Sequence, residues 1–228
     1  MSWRAEIGRV GAVALKDLTA ERRTRANFNA VAFLGALILL LFGFTLGPDT
    51  HALRAAAPGI LWLAILFSGV LAFNRSYQLE LEGQALETLL MYPGGRWTLF
   101  AGKLLANLVF VLLVEMVVVP AAIVLYQVSV PAAWPMLLLV LFMGTLGFVT
   151  LGTFYAAMAS RSRAREVLLP LLLFPMLVPL LVAAVEASAA LLLGDPMGNA
   201  WTWIKLLAAF DVLFLAAAVL AFEHVIEV

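Results

Sequence analysis

The sequence predicts an all-α integral membrane protein with six transmembrane helices, on the evidence of its composition, its length and its charge-free windows. Of the 228 residues, 64% are hydrophobic and 12% are charged, whereas a soluble domain has about 25% charged residues. Six crossings of roughly 20 residues each occupy about 120 residues, so the remainder is too short for a soluble catalytic domain. The lack of cysteine excludes disulfides, thiolate metal clusters and a cysteine nucleophile.

The predicted spans are the long windows that are nearly free of charge, because an unpaired charge in hydrocarbon costs several kcal/mol. Pro58 falls in the first turn of the second span, where its missing N–H is tolerated. Pro170, Pro175 and Pro179 are expected to interrupt the fifth span. The single transmembrane domain begins with a basic segment, residues 1–25, and its spans cover residues 26–48, 55–74, 97–126, 135–160, 166–193 and 201–222.

The distribution of basic residues predicts that both termini face the cytoplasm. Twelve of the 14 Lys and Arg residues lie in the N-terminal segment, around the second-to-third connection or in the fourth-to-fifth connection. The opposite side receives only Arg54 and Lys205, and short cytoplasmic loops are the ones rich in basic residues. The net charge is zero, which gives no bulk attraction to nucleic acid.

The N-terminal segment has the pattern of an amphipathic helix. Its apolar residues recur at steps of three and four, which predicts an interfacial helix that bears on the bundle. A simple basic orientation signal remains the alternative. The apolar positions are Trp3, Ile7, Val10, Ala14 and Leu18.

The longest polar stretch between spans, residues 75–93, predicts a cytoplasmic helix that meets a partner. On a helix, Leu79, Leu86 and Leu90 share one side, while Glu80 and Glu87 share another. A solvated loop helix without a partner is the alternative. Two residues limit the helix: Gly83 is a point at which it could divide, and Pro93 ends it.

The motifs of common enzymes are absent from the sequence. The closest approach to a phosphate-binding loop is Gly102-Lys103, but Trp97 replaces its first glycine and Leu104 replaces its Ser or Thr. His51 and His224 are predicted on opposite faces of the membrane, so they cannot share one metal or haem iron. The chain is therefore not expected to be an enzyme by itself.

Three carboxylates fall within or near predicted spans: Glu115, Glu186 and Asp211. Carboxylates at such positions face protein or water instead of lipid. A structural or cavity-lining role and a role in a transport path both remain open for these three residues.

Several short motifs occur in order along the chain: Ala57-Pro-Gly-Ile-Leu-Trp62, Phe73-Asn-Arg75, Leu86-Glu-Thr-Leu-Leu90, Pro93, Lys103-Leu104 and Leu169-Pro-Leu-Leu-Leu-Phe-Pro175. The distinctive residues concentrate between Ala57 and Lys103. These motifs resemble the haem exporter protein B (CcmB) family, and the C-terminal half is similar to it mainly in hydropathy. The arrangement of the segments looks like an ABC-2-type, type V exporter-like permease.

This resemblance implies a bacterial inner-membrane subunit of the cytochrome c maturation system. Its implied partners are an ABC ATPase (A) subunit that carries ATP and Mg²⁺, the C and D subunits, a periplasmic haem chaperone and a second copy of the chain. ATP hydrolysis would be coupled to haem transfer or to release of the haem-loaded chaperone. The chain would bind no resident cofactor, and haem would be at most a transient passenger.

The resemblance also bears on two local structures. Residues 75–93 would form the coupling helix that meets the ATPase. In such permeases the stretch after the fifth span commonly folds into short re-entrant helices, and whether residues 183–199 do so stays open. The interface residues would be Arg75, Glu80, Glu82, Leu86, Glu87, Leu89, Leu90 and Pro93.

Three other functions remain open. A secondary transporter could use Glu115 and Asp211 for proton coupling, although the sequence has no convincing internal repeat. A non-transporting scaffold could hold maturation factors together. An intramembrane hydrolase is the least supported.

Overall fold

A computed structural model describes residues 3–24, 26–82, 97–129, 134–160, 165–194 and 199–225. Seven helices account for nearly all of these residues, and no strand occurs among them. The helices are α1 (Trp3–Thr24), α2 (Ala26–Leu46), α3 (Thr50–Glu82), α4 (Trp97–Leu125), α5 (Trp134–Ser160), α6 (Arg165–Leu193) and α7 (Ala200–Val225).

Six of the described helices, α2 to α7, are long and apolar enough to cross a membrane, which confirms the predicted all-α fold with six such helices. Their apolar stretches are Ala26–Leu46, Thr50–Asn74, Trp97–Leu125, Trp134–Ala159, Val167–Leu193 and Ala200–Phe222.

Helices α3 and α5 form the centre of the bundle. In the most apolar part of each helix, 72% of the residues of α3 and 67% of those of α5 are buried. The corresponding share is 17% to 33% for the other four apolar helices, α2, α4, α6 and α7. Helix α3 packs against α2, α4, α5 and α6, while α5 packs against α3, α4, α6 and α7. The remaining helices therefore surround this central pair.

Aromatic rings lie directly on glycines where α3 meets α5. An added Cβ would be 2.3 Å from the Trp62 ring at Gly144 and 2.1 Å from the Phe73 ring at Gly152. In the third contact the roles are exchanged: α5 supplies the ring, Phe148, and α3 supplies the glycine, Gly69. Small residues of this kind allow two helix backbones to approach closely.

The second span begins earlier than the sequence predicts. The Asp49 carboxylate accepts hydrogen bonds from the backbone N–H groups of His51 and Ala52, at 2.9 and 3.3 Å. This cap satisfies donors at the helix N-terminus, so α3 starts at Thr50 instead of residue 55. The prediction that Pro58 lies in the first turn is wrong, because Pro58 lies inside the helix.

Helix α6 is also longer and more regular than predicted. Pro170, Pro175 and Pro179 all lie inside one helix that runs to Leu193, so the expected interruption is wrong. Membrane helices tolerate proline where neighbouring groups satisfy the freed carbonyls. The question left open for residues 183–199 is answered as far as Leu193, where the same helix continues without re-entrant turns. Residues 195–198 lie outside the described part of the chain.

Helix α1 is an ordered part of the fold that lies against the beginning of α4. Gly102 of α4 meets Val13, whose Cβ would be 2.6 Å from a Cβ added at the glycine. The predicted apolar stripe is only partly correct, because Ile7 is 52% exposed while Ala14 is buried. The contact with α4 is therefore centred on residues between Val10 and Asp17.

Helix α1 also fixes the beginning of α2. The Glu21 carboxylate accepts hydrogen bonds from the Phe28 backbone N–H, at 2.9 Å, and from Asn27 Nδ2, at 3.1 Å. A negative charge at this position complements the partial positive charge at the helix N-terminus. Helix α1 is thus attached to both α2 and α4.

Candidate functional site: buried polar groups and an extended third helix

A row of polar side chains lies buried where α4 meets α5. Asn107 Nδ2 donates a hydrogen bond to Thr153 Oγ1, at 3.0 Å. Two turns further along α4, the Thr145 hydroxyl donates a hydrogen bond to Glu115 Oε1. All four residues are at most 7% exposed. Each polar group in the row therefore has a partner on the facing helix, as buried polar groups require.

The row extends along α4 to Lys103, close to the beginning of that helix. The Lys103 side chain is 0% exposed, and its Nζ lies 3.2 Å from Asp17 Oδ2 of α1. Asn107 follows Lys103 by four residues and Glu115 follows Asn107 by eight, so the three side chains lie along one side of α4. This side of α4 carries the interhelical polar contacts to both α1 and α5.

Asp211 occupies a different kind of environment. It lies midway along the apolar stretch Ala200–Phe222, eleven residues from either end, and is 7% exposed. Neither carboxyl oxygen has a hydrogen-bond partner among the residues that the structure describes. Oδ1 would be 2.5 Å from a Cβ added at Gly147, and Leu180 and Phe210 flank the same glycine.

The structure keeps the three predicted intramembrane carboxylates apart. Thr145, the partner of Glu115, and Gly147, which faces Asp211, are two residues apart on α5, which is a rotation of roughly 200° around the helix axis. Glu115 and Asp211 thus lie on opposite sides of α5. Glu186 is exposed, so it belongs to neither group.

The predicted coupling segment begins as part of α3. The apolar stretch of that helix ends at Asn74, but the helix continues without a break to Glu82. The extra eight residues add about 12 Å to the helix. Arg75, Glu80 and Glu82 therefore lie on a helical extension of the central helix, called here the α3 extension (residues 75–82). Leu86, Glu87, Leu89, Leu90 and Pro93 lie outside the described residues.

Four residues of the site were not predicted from the sequence: Asn107, Thr145, Thr153 and Gly147. A usable signal exists for the first three, because polar residues recur at four- and eight-residue steps within two otherwise apolar helices. No comparable signal marks Gly147, since its role depends on a carboxylate 64 positions away in the sequence. The pairing of Lys103 with Asp17 was not predicted, because the two residues are 86 positions apart in the sequence.

These features define a class of protein. Six helices that are long and apolar enough to cross a membrane, with buried polar groups where α4 meets α5, are typical of a multi-pass membrane protein. Within the described residues, no group of three or more His, Asp or Glu side chains could hold a metal ion. The polar groups of the site form hydrogen bonds between helices.

The chain belongs to the CcmB family. The family profile described as "CcmB protein" matches residues 9–228, which is nearly the whole chain and confirms the resemblance found in the sequence.

Three relatives illustrate the similarity, and each is named "Heme exporter protein B". The protein of Paracoccus denitrificans is 32% identical over 208 residues, which cover 91% of this chain and 93% of that protein. The protein of Pseudomonas aeruginosa is 29% identical over 189 residues, which cover 82% of this chain and 83% of that protein. The protein of Rhodobacter capsulatus is 31% identical over 176 residues, which cover 77% and 80%.

Proposed function

We propose that this chain is the membrane permease subunit of an ABC transporter that serves haem export and cytochrome c maturation. The proposal is supported by the name of its relatives and by alignments that cover most of both chains. A separate ATPase subunit hydrolyses ATP in this proposal. The membrane subunit couples that hydrolysis to haem transfer or to release of a haem-loaded chaperone.

The observation that carries the coupling role is the unbroken course of α3. This helix is the most buried of the six apolar helices, and the same helix continues past Asn74 to Glu82. A partner that moves the α3 extension therefore acts directly on the centre of the bundle. The carboxylates Glu80 and Glu82, with Arg75, supply charged positions for contact with an ATPase.

Movement of α3 would reach several helices at once. The Ser68 hydroxyl donates a hydrogen bond to the Val31 carbonyl of α2, at 3.1 Å. Trp62 Nε1 donates a hydrogen bond to Ser188 Oγ of α6, at 3.0 Å. Together with the ring–glycine contacts to α5, these bonds make α3 the common neighbour of three helices. Packed elements of this kind shift between discrete arrangements instead of deforming smoothly.

The topology in this proposal has both termini and the α3 extension on the cytoplasmic side of the bacterial inner membrane. It is supported by the excess of basic residues on that side. The opposite, outer end of the bundle then contains the hydrogen bond that Arg54 Nε donates to the Gln127 carbonyl, at 2.8 Å.

The proposed partners are an ATPase subunit that holds ATP and Mg²⁺, the C and D subunits, a periplasmic haem chaperone and a second copy of this chain. The ATPase-facing surface would be completed by Leu86, Glu87, Leu89, Leu90 and Pro93. Haem would pass through the complex only transiently.

The continuity of α3 is tested by the substitution Ser76→Pro, with Ser76→Ala as the matched control. Proline inside a helix removes a hydrogen bond and kinks the backbone. We expect Ser76→Pro to retain the ATPase subunit during purification in mild detergent but to lower the yield of cytochrome c. Ser76→Ala should leave both unchanged.

The contact itself is tested with Leu90→Asp and Glu87→Ala, with Glu186→Ala as a control at an exposed carboxylate outside the segment. We expect both changes in the segment to reduce the ATPase subunit that accompanies the tagged chain, and Leu90→Asp to reduce it at least about tenfold. Unaltered ATPase association and cytochrome c yield in both variants would contradict the proposed coupling role.

A further inference from the structure

The environment of Asp211 is unusual for a carboxylate. It lies in the middle of an apolar stretch, is 7% exposed, and neither oxygen has a hydrogen-bond partner among the described residues. A carboxylate in such surroundings takes up a proton instead of remaining ionised, because an isolated buried charge is very unfavourable. The atoms beside it do not offer an alternative means of neutralisation.

Among the side chains that the structure describes, no charged group of the helices packed on α7 is placed to neutralise Asp211. Helix α5 contains no Asp, Glu, Lys, Arg or His. Its Tyr155 lies eight positions beyond Gly147, about 12 Å along the axis. On α4, Lys103 is bonded to Asp17, and Glu115 is bonded to Thr145 on the opposite side of α5. The other ionisable residues of α6 and α7 are Arg165, Glu166, Glu186, Lys205, Glu223 and His224, of which Glu186 and Lys205 are exposed and the remaining four lie towards helix ends.

A metal cation does not fit the surroundings of Asp211. Hard cations require about six oxygen ligands, whereas the side chains at Gly147, Leu180 and Phe210 offer none. A proton is the one cation that requires no further ligand.

We propose that Asp211 is a proton-binding site, occupied when α5, α6 and α7 close around it and vacated when these helices separate and admit water. Uptake converts the carboxylate and a hydronium ion into a carboxylic acid and a water molecule. Because only the closed packing favours the acid, proton occupancy and the packing of α5, α6 and α7 are linked. This inference does not depend on the proposed transport function.

The test is infrared spectroscopy of the full chain in lipid nanodiscs, with aspartate carrying ¹³C in its carboxyl group. The chain contains four aspartates, and the other three are Asp17, Asp49 and Asp195. We expect the wild type at neutral pH to show the carbonyl band of a protonated carboxylic acid, shifted by the label. Asp211→Asn should lose this band, whereas Asp49→Asn and Glu115→Gln should retain it.

Two results would overturn the proposal. One is the lack of a label-sensitive acid band in the wild type at every pH from about 5 to about 9. The other is a band that persists in Asp211→Asn, since it would belong to another aspartate. The isotope shift is measured on the unsubstituted chain, so the test stands even if Asp211→Asn does not fold.

Discussion

Two buried carboxylates lie on opposite sides of α5, and they differ in whether a hydrogen-bond donor meets them. On the side that faces α4, Glu115 accepts a hydrogen bond from Thr145, and the neighbouring Asn107–Thr153 pair is equally satisfied. On the side that faces α7, Asp211 has no partner among the described residues and lies against a glycine. The first side resembles polar contacts that hold membrane helices together. The second has the features of a site that changes its state.

The largest effect on stability is expected at Lys103, the end of the row of buried polar residues along α4. Asp17→Ala removes a carboxylate that lies beside this fully buried ammonium, and we expect a loss of about 3 kcal/mol in the free energy of unfolding. Lys16→Ala removes the other ion pair of Asp17, in which the lysine side chain is 44% exposed, and should cost at most about 1 kcal/mol. Unfolding in one mild detergent, followed by helix content, measures both values. Equal effects would show that burial of Lys103 does not matter.

The next effect concerns the unpaired side. Gly147→Ala places a methyl group 2.5 Å from Asp211 Oδ1 and 2.7 Å from Leu180 Cδ1, so it should cost about 1–3 kcal/mol through overpacking. Combination with Asp211→Ala should recover part of that loss. Gly59→Ala is the control, since nothing lies within 4 Å of its added Cβ, and it should raise stability by up to about 1 kcal/mol. A double variant no better than Gly147→Ala would show that Asp211 is not what the methyl group meets.

A smaller effect separates two threonines of α5. Thr145→Val leaves Glu115 buried without its donor and should cost about 1–2 kcal/mol. Thr150 is also buried, but its hydroxyl donates to the Leu146 carbonyl of its own helix, at 2.8 Å. Thr150→Val should therefore change stability by less than about 0.5 kcal/mol. If the two variants unfold alike, the bond to Glu115 does not stabilise the bundle.

The smallest effects should differ in sign. Asp211→Leu replaces an unpartnered polar group by an apolar one, so we expect no change or a gain of up to about 1 kcal/mol. Glu115→Met removes a satisfied interhelical bond and should cost about 1 kcal/mol. Thermal unfolding midpoints of the two variants, measured side by side, test this difference. A loss on Asp211→Leu as large as that on Glu115→Met would remove the distinction between the two sides of α5.

The number of apolar helices could be predicted from the sequence because charge in hydrocarbon is costly, and that cost acts on each span separately. The helix limits could not be predicted with the same success. The start of α3 depends on the Asp49 cap. Pro170, Pro175 and Pro179 do not interrupt α6, and membrane helices tolerate proline where neighbouring groups satisfy the freed carbonyls. A window of hydropathy contains neither kind of information.

The site was predictable only in part. Glu115 and Asp211 were noticed because each is charged within an apolar window, but the sequence did not distinguish the partnered residue from the unpartnered one. That distinction depends on the rotation of α5, which presents Thr145 to one neighbour and Gly147 to another. Residues 83–96, with most of the predicted ATPase contacts, lie outside the described part of the chain, so that interface stays a prediction.

The ring–glycine contacts limit where the bundle is able to move. Trp62 and Phe73 project from α3 into notches of α5, while Phe148 projects in the reverse direction into a notch of α3. Sliding of either helix along the other would drive at least one ring into backbone. The two helices therefore behave as one stiff unit, so a displacement of α3 carries α5 with it, and relative movement takes place between this pair and the helices around it.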